Sequence, residues 1–111
     1  MRKLYIVKSA RDFEKIIKTG KIVKNKSFII YYQASNLPYN RYGISGGKKL
    51  GNAVYRNKYK RKIRAIIDNL KKDYINKKDY IIILRGSAKN KTYQELEKDY
   101  VALINNIGKD I

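Results

Sequence analysis

The chain is 111 residues long, which suits one domain with a modest core, and its formal charge of +18 sets 27 Lys and Arg against 9 Asp and Glu with no histidine. It has no cysteine, which excludes disulfides and thiolate metal sites, and without histidine a zinc ion would have carboxylates alone. A hydrophobic content of 43%, patterned in Ile, Leu and Tyr, argues against a disordered basic tail, and no apolar run approaches the roughly 20 residues of a membrane span.

The opening stretch, MRKLYIVKSARDF, carries basic residues but no apolar core of signal-peptide length, so a cytoplasmic protein is the expectation. Ser9 precedes a predicted helix in which Phe13, Ile16 and Ile17 share a face, and Gly20 stands where a helix end favours positive φ. Lys21–Lys24 reads as a short extra strand. The run SFIIYYQA (27–34) is rich in β-branched and aromatic residues and reads as a strand whose alternation sends Tyr31 and Tyr32 to opposite faces. SNLPYN (35–40), with the only proline, is a turn, and RYGISGG (41–47) is expected to pair with the preceding strand as a hairpin. Gly46, Gly47 and Gly51 loosen the next connection, and Asn52 is a candidate N-cap for a helix from near Ala53 to near Lys72. DYIIILR (79–85) has a four-residue apolar run, 81–84, that suits a central strand buried on both faces. Thr92 and Glu95 form a capping box that opens a last helix burying Leu96, Tyr100, Leu103, Ile104 and Ile107, with Gly108 as its stop. No repeat, low-complexity tract or long linker divides the chain, so residues 1–111 form a single domain. The order α-β-β-(β)-α-β-α predicts an α/β sandwich, a small mixed sheet with helices packed on it.

The charge is concentrated: residues 15–67 hold 14 basic residues and no acid. Within GNAVYRNKYKRKIRAII (51–67), six cations fall in nine residues: Arg56, Lys58, Lys60, Arg61, Lys62 and Arg64. On a helix, Tyr59, Ile63, Ile66, Ile67 and Leu70 make an apolar stripe turned to the core. The opposite side is expected to carry Arg56, Lys60 and Arg64 at i, i+4 steps, with Asn57 and Arg61 beside them. Like charges at that spacing cost a free helix a few tenths of a kcal/mol per pair, roughly. Such a face makes physical sense beneath a polyanion, and nucleic acid is the leading partner class. A second basic cluster, Lys71, Lys72, Lys77 and Lys78, is interleaved with Asp68, Asp73 and Asp79 and reads as a solvated, self-compensating face.

The ordered run RYGISGGKKLGNAVYRNKYKRKIR (41–64) resembles the signature of the bacterial ribonuclease P protein subunit. The matching pieces are Lys48 and Lys49, the Gly-Asn-Ala-Val of 51–54, Arg56 and Asn57, Lys60 and Arg61, and Arg64. Asp12 and Phe13, residues 28–31, the apolar strand 80–84 and the last helix extend the resemblance over nearly the whole chain. Two positions depart from the family pattern. Lys58 stands where the motif Arg-Asn-Arg has its second arginine, and it brings a point charge instead of a bidentate fork. Ile17 stands where the family often has an aromatic ring, and it offers apolar contact without stacking.

The resemblance implies a left-handed β-α-β crossover around the basic helix, against the general rule of handedness. It further implies an accessory RNA-binding subunit: a catalytic RNA with bound Mg²⁺ removes the 5′ leader of precursor tRNA, and the protein side chains alone hold no metal. The partners it implies are the catalytic RNA and precursor tRNA, with no membrane and no protein partner. Lys48, Lys49, Asn52, Arg56, Asn57, Lys58, Lys60, Arg61 and Arg64 are the expected contacts to the catalytic RNA. Phe13, Ile17, Phe28 and Tyr31 are the expected contacts to the leader, whose exposed bases aromatic rings can stack against. No catalytic residue is expected in the protein. An independent metal-dependent nuclease would need clustered carboxylates, and the i, i+4 pair Glu95 and Asp99 is ordinary surface decoration. A ribosomal or general RNA-binding protein without a role in catalysis is the alternative, matched by charge and fold class but not by the ordered signature. A helix-turn-helix DNA reader would want a compact helical trio, which the strand at 80–84 does not fit.

Overall fold

The computed structural model describes residues 5–46, 51–70 and 77–108. The first helix, α1, spans Ala10–Thr19 and begins at an N-cap on Ser9, whose hydroxyl accepts from the Asp12 amide at 3.4 Å. The extra strand is present as β1 (Lys21–Lys24), followed by β2 (Phe28–Ala34) and β3 (Arg41–Gly46). The basic helix α2 covers Ala53–Leu70, with Asn52 Oδ1 accepting from the Tyr55 amide at 3.1 Å as an N-cap does. Then come β4 (Lys78–Leu84), a short 3-10 turn at Gly86–Ala88, and α3 (Tyr93–Gly108). The capping box closes reciprocally: the Thr92 amide donates to Glu95 Oε1 at 3.1 Å and the Glu95 amide to Thr92 Oγ1 at 3.2 Å. The Thr92 backbone bond, its largest cause, holds the Glu95 carboxyl below its ordinary value.

The sheet order is β1-β2-β4-β3, with β4 central. β2 runs antiparallel to both β1 and β4, and β3 runs parallel to β4. The mixed α/β sandwich is therefore present, but β2 and β3 are not a hairpin. The apolar β4 takes the place between them, and the turn at 35–40 spans two inter-strand spacings, roughly 9–10 Å. A run buried on both faces gains most in the middle of a sheet, so β4 displaces the pairing that a local turn suggests.

Alternation along the strands makes two apolar layers. Phe28, Ile30 and Tyr32 of β2 and Tyr80, Ile82 and Leu84 of β4 join Tyr59, Ile63, Ile66 and Ile67 of α2 and Leu96, Tyr100, Leu103, Ile104 and Ile107 of α3 in the main core. Full burial of each such side chain stabilises the fold by about 1.5–3 kcal/mol relative to exposure. Tyr42 and Tyr80, direct neighbours on β3 and β4, stack at 5.3 Å between centroids. On the other face lies a smaller layer of Val7, Ile16 and Ile81, with Phe13, Ile17, Tyr31 and Ile83 packed against it. α1 and α2 thus sit on opposite faces of the sheet.

α1 lies close to the strands because two glycines allow it. A Cβ at Gly43 would stand 2.5 Å from Phe13 Cε2 and 2.8 Å from Ile81 Cδ1. A Cβ at Gly20 would stand 2.6 Å from the Ile16 carbonyl oxygen and 2.8 Å from that of Tyr32. Gly20 itself has φ −80°, not the positive φ expected of it, so close approach and not left-handed backbone is what its position requires. Polar ties complete the seat. The Thr19 hydroxyl meets Gln33 Oε1 at 2.7 Å. Arg41 forks onto Asp79, Nε to Oδ1 at 2.9 Å and Nη2 to Oδ2 at 2.8 Å, and its Nη1 reaches Asp12 of α1 at 3.6 Å. The Asp79 hydrogen bond, opposed by partial burial, raises the Arg41 pKa. Asp79 is therefore a buried partner of Arg41 and not part of a solvated face; Lys71, Lys72 and Asp73 of that expected cluster lie outside the described residues.

A polar hub joins the β1–β2 turn to α3. Asn25 Oδ1 accepts from the Ser27 and Phe28 amides at 3.0 Å each, while the Ser27 hydroxyl and the Lys91 ammonium both donate to Asp99 Oδ2. Burial would raise the Asp99 pKa, but the Ser27 and Lys91 bonds outweigh it, and the net shift is downward.

Candidate nucleic-acid interface

On the α1 face, the half-buried side chains of Phe13, Ile17 and Tyr31 gather around Ile81. Phe13 is seated by Gly43, Ile17 follows one helical turn later, and Tyr31 rises from β2 beside them. The helix therefore covers only part of the sheet and leaves an apolar and aromatic margin at the surface. The lip of that margin at Lys8, Ser9, Ala10, Phe13, Glu14 and Ile17 is a shallow depression of about 400 Å³.

Phe28 is not part of this margin. It is fully buried on the opposite face, edge-on to Tyr100 at 6.1 Å, with no ring face open to a ligand. Its parity along β2 matches Tyr32 and opposes Tyr31, so Phe28 and Tyr31 cannot line one groove. Sequence reasoning passed over Ile22, which is 50% exposed and pairs directly with Tyr31 across β1 and β2. The same alternation that exposed Tyr31 pointed to it.

On the other face, α2 buries Tyr59, Ile63, Ile66 and Ile67 as expected. The cationic stripe does not lie diametrically opposite. Each residue advances about 100° around the helix, so an i, i+4 row drifts about 40° per step. Arg56 and Lys60 are accordingly half-buried along the flank of the apolar stripe, and Arg64 emerges exposed. The Arg56 Nε is buried with no hydrogen-bond partner among the described residues, so its stem is packed as well as charged. Outward stand Asn57 and Arg61, with Lys58 turned toward the other flank, all three exposed, and Asn52 is exposed at the cap. Lys48 and Lys49 lie outside the described residues. The other flank holds Lys62, whose Nζ lies 5.0 Å over the Tyr59 ring, and an exposed Tyr55 that sequence reasoning did not single out.

Two surfaces result, back to back. One is apolar and aromatic; the other is a helix with no acid before Asp68. Among the described residues no group of three or more His, Cys, Asp or Glu side chains gathers as a metal-binding set, and no helix is long and apolar enough to cross a membrane.

Comparison with known proteins shows the family. The family model Ribonuclease P matches residues 1–108. A ribonuclease P protein component from Streptococcus agalactiae serotype III (strain NEM316) is 42% identical over 111 residues, covering 97% of this chain and 98% of its own. Among solved structures, a Staphylococcus aureus RNase P protein mutant with defective mRNA degradation activity superposes with a TM-score of 0.89 at 36% identity, over 96% of this chain and 90% of that one. The RNase P protein from Thermotoga maritima gives a TM-score of 0.82 at 28% identity, over 90% of this chain and 94% of its own. With matches of sequence and fold running almost end to end, the chain belongs to the ribonuclease P protein family.

Proposed function

We propose that this chain is the protein subunit of a ribonuclease P ribonucleoprotein, which binds the catalytic RNA and the 5′ leader of precursor tRNA and assists endonucleolytic removal of that leader. One observation carries the reading: the aromatic margin at Phe13, Ile17 and Tyr31 and the basic helix α2 occupy opposite faces of one sheet. A subunit that bridges two RNAs needs two separate surfaces of different chemistry. The margin suits unstacked bases, since a ring and apolar side chains accept any base by its face. The helix suits phosphates, whose neutralisation relieves the repulsion among its cations.

Each side chain then has a task. Arg64, Arg61, Lys60 and Arg56 hold RNA phosphates, with Arg56 and Lys60 fixed in place by their packed stems. Lys58 contributes a point charge and Asn57 a neutral hydrogen-bonding amide; Lys48, Lys49 and Asn52 belong to the same contact by the family pattern. Tyr31 and Phe13 stack on or pack against leader bases, and Ile17 adds apolar contact. Hydrolysis belongs to the RNA, and Mg²⁺ is held mainly there; the described residues offer the ion no donor set of their own.

Reconstitution tests the reading. The protein should raise precursor-tRNA cleavage by a bacterial ribonuclease P RNA at low Mg²⁺ and should cleave nothing by itself. Activity of the protein alone that survives nuclease treatment would refute the accessory role. Failure to help the RNA, with capture of ribosomal RNA instead, would favour a general RNA-binding protein.

A further inference from the structure

Val54 and Tyr55, in the first turn of α2, are two of the three exposed large hydrophobic residues among those described, 76% and 41% exposed. Tyr55 is not loose. Gly51 has φ 118°, a conformation that favours glycine, and its backbone lies so near that an added Cβ would stand 3.4 Å from Tyr55 Cβ. From the loop after β4, Lys89 sets its ammonium 5.3 Å from the Tyr55 ring centroid. The same loop is tied to the helix by the Asn90 amide, which donates to the Tyr59 hydroxyl. Lys89 therefore lies against the partly exposed Tyr55 ring, while Lys58 and Lys62 follow it on the same flank of α2 at i+3 and i+7, Lys62 over the buried Tyr59 ring; none of the three forms an ion pair with a described residue. This flank is separate from the Arg56, Lys60 and Arg64 row, because Tyr55, Lys58 and Lys62 occupy a different third of the helix circumference.

We propose that Tyr55, Lys58 and Lys62 of α2, with Lys89 of the following loop, form a second RNA-binding surface that takes an unpaired segment of the catalytic RNA. Phosphates lie against the three lysines and a base packs on the Tyr55 ring. Charge complementarity selects a polyanion, since three cations on one flank, without an ion-pair partner among the described residues, repel one another until phosphate screens them. The ring selects an unpaired nucleotide, because a duplex presents no free base face. Position selects the catalytic RNA over the leader, because this flank shares a helix with the phosphate-binding row and lies across the sheet from Phe13 and Tyr31. The proposal rests on the reading of α2 as the catalytic-RNA contact, and Arg64→Ala is the control for that reading.

The experiment measures binding of the full-length protein to a bacterial ribonuclease P RNA over a series of salt concentrations. Tyr55→Ala should lose about five- to hundred-fold in affinity, and Tyr55→Phe should keep it, because the ring and not the hydroxyl makes the contact. Lys89→Ala, on an exposed loop, should flatten the log-affinity against log-salt slope by about 0.7–0.9 with an unchanged circular dichroism spectrum, and it carries the test if Tyr55→Ala does not fold. Native affinity and slope in Tyr55→Ala and Lys89→Ala while Arg64→Ala is weakened would overturn this surface and leave the main reading standing. Native behaviour of all three would overturn both. A loss confined to holoenzyme binding of precursor tRNA, with the catalytic RNA bound normally, would overturn the choice of occupant.

Discussion

Gly43→Ala probes the seat of α1 with a single carbon atom. The new methyl would begin 2.5 Å from Phe13 Cε2, 3.1 Å from Phe13 Cδ2 and 2.8 Å from Ile81 Cδ1. Carbon atoms pack at about 3.5–4.0 Å, so the Phe13 ring must retreat by about 1 Å. Overpacking of this kind costs about 1–3 kcal/mol, and the lower chain entropy of unfolded alanine offsets about 0.4–1 of that, leaving roughly 0–2.6 kcal/mol of net loss. Urea unfolding of the wild type, Gly43→Ala, Phe13→Ala and the double variant forms a cycle that isolates the contact. With the ring gone, the methyl has room, so the double variant should be less destabilised than the two single changes predict together. Because Phe13 moves with α1, Gly43→Ala should also weaken binding of precursor tRNA that carries a leader, with little change toward the catalytic RNA. Strict additivity in the cycle would show that the ring does not rest on the glycine and would refute the argument.

Tyr31→Ala should cost about 1–3 kcal/mol, roughly five- to hundred-fold, in affinity for precursor tRNA with a leader of several nucleotides, and nothing for mature tRNA; equal losses for both would make the ring general surface. Asp79→Asn strips the charge from the fork on Arg41 and should lower stability by about 1.5–3 kcal/mol in urea unfolding, toward the lower end because the Arg41 side chain is 23% exposed. Asp99 has a depressed pKa, so its contribution is present above the ordinary carboxylate value and is lost as pH falls through the folded one. The stability difference between wild type and Asp99→Asn should therefore shrink as the pH is lowered into that acid range, and a constant difference would deny the ionic role.

Much of the fold was legible because its signals are local. Asn52 and the Thr92 and Glu95 box cap the helices they were expected to cap, Ser9 stands just before the helix it was read as preceding, and the uninterrupted apolar run of β4 announced a strand buried on both faces. The misreadings came from geometry between elements. A turn rich in Asn and Pro reports that the chain reverses, not which strand it meets next, so β3 was placed beside β2. Gly20 was read for its freedom of φ, although what it supplies is the absence of a Cβ between two carbonyl oxygens. Treating an i, i+4 row as straight hid the drift that half-buries Arg56 and Lys60. The Phe28 error was avoidable, since its parity with Tyr32 was already in the sequence. Tyr55 was not legible at all, because its setting depends on Lys89, more than thirty residues away along the chain.

The strand order has a consequence for how the chain reaches its native state. Both neighbours of β4 precede it, and Arg41 waits for Asp79, 38 residues later, before their ladder can form. During synthesis, β2 can zip onto β1 at once, but its other edge, FIIYYQA, stays without a partner until β4 has emerged. That edge is long, apolar and rich in β-branched and aromatic residues, the kind that pairs indiscriminately with other chains. The interval is lengthened because α2, whose cations repel one another, must be made and folded back before the parallel pairing can close. The nascent protein is therefore most prone to aggregate while the basic helix is being translated, and Lys21 and Lys24 on the outer strand guard only the edge that β4 does not need.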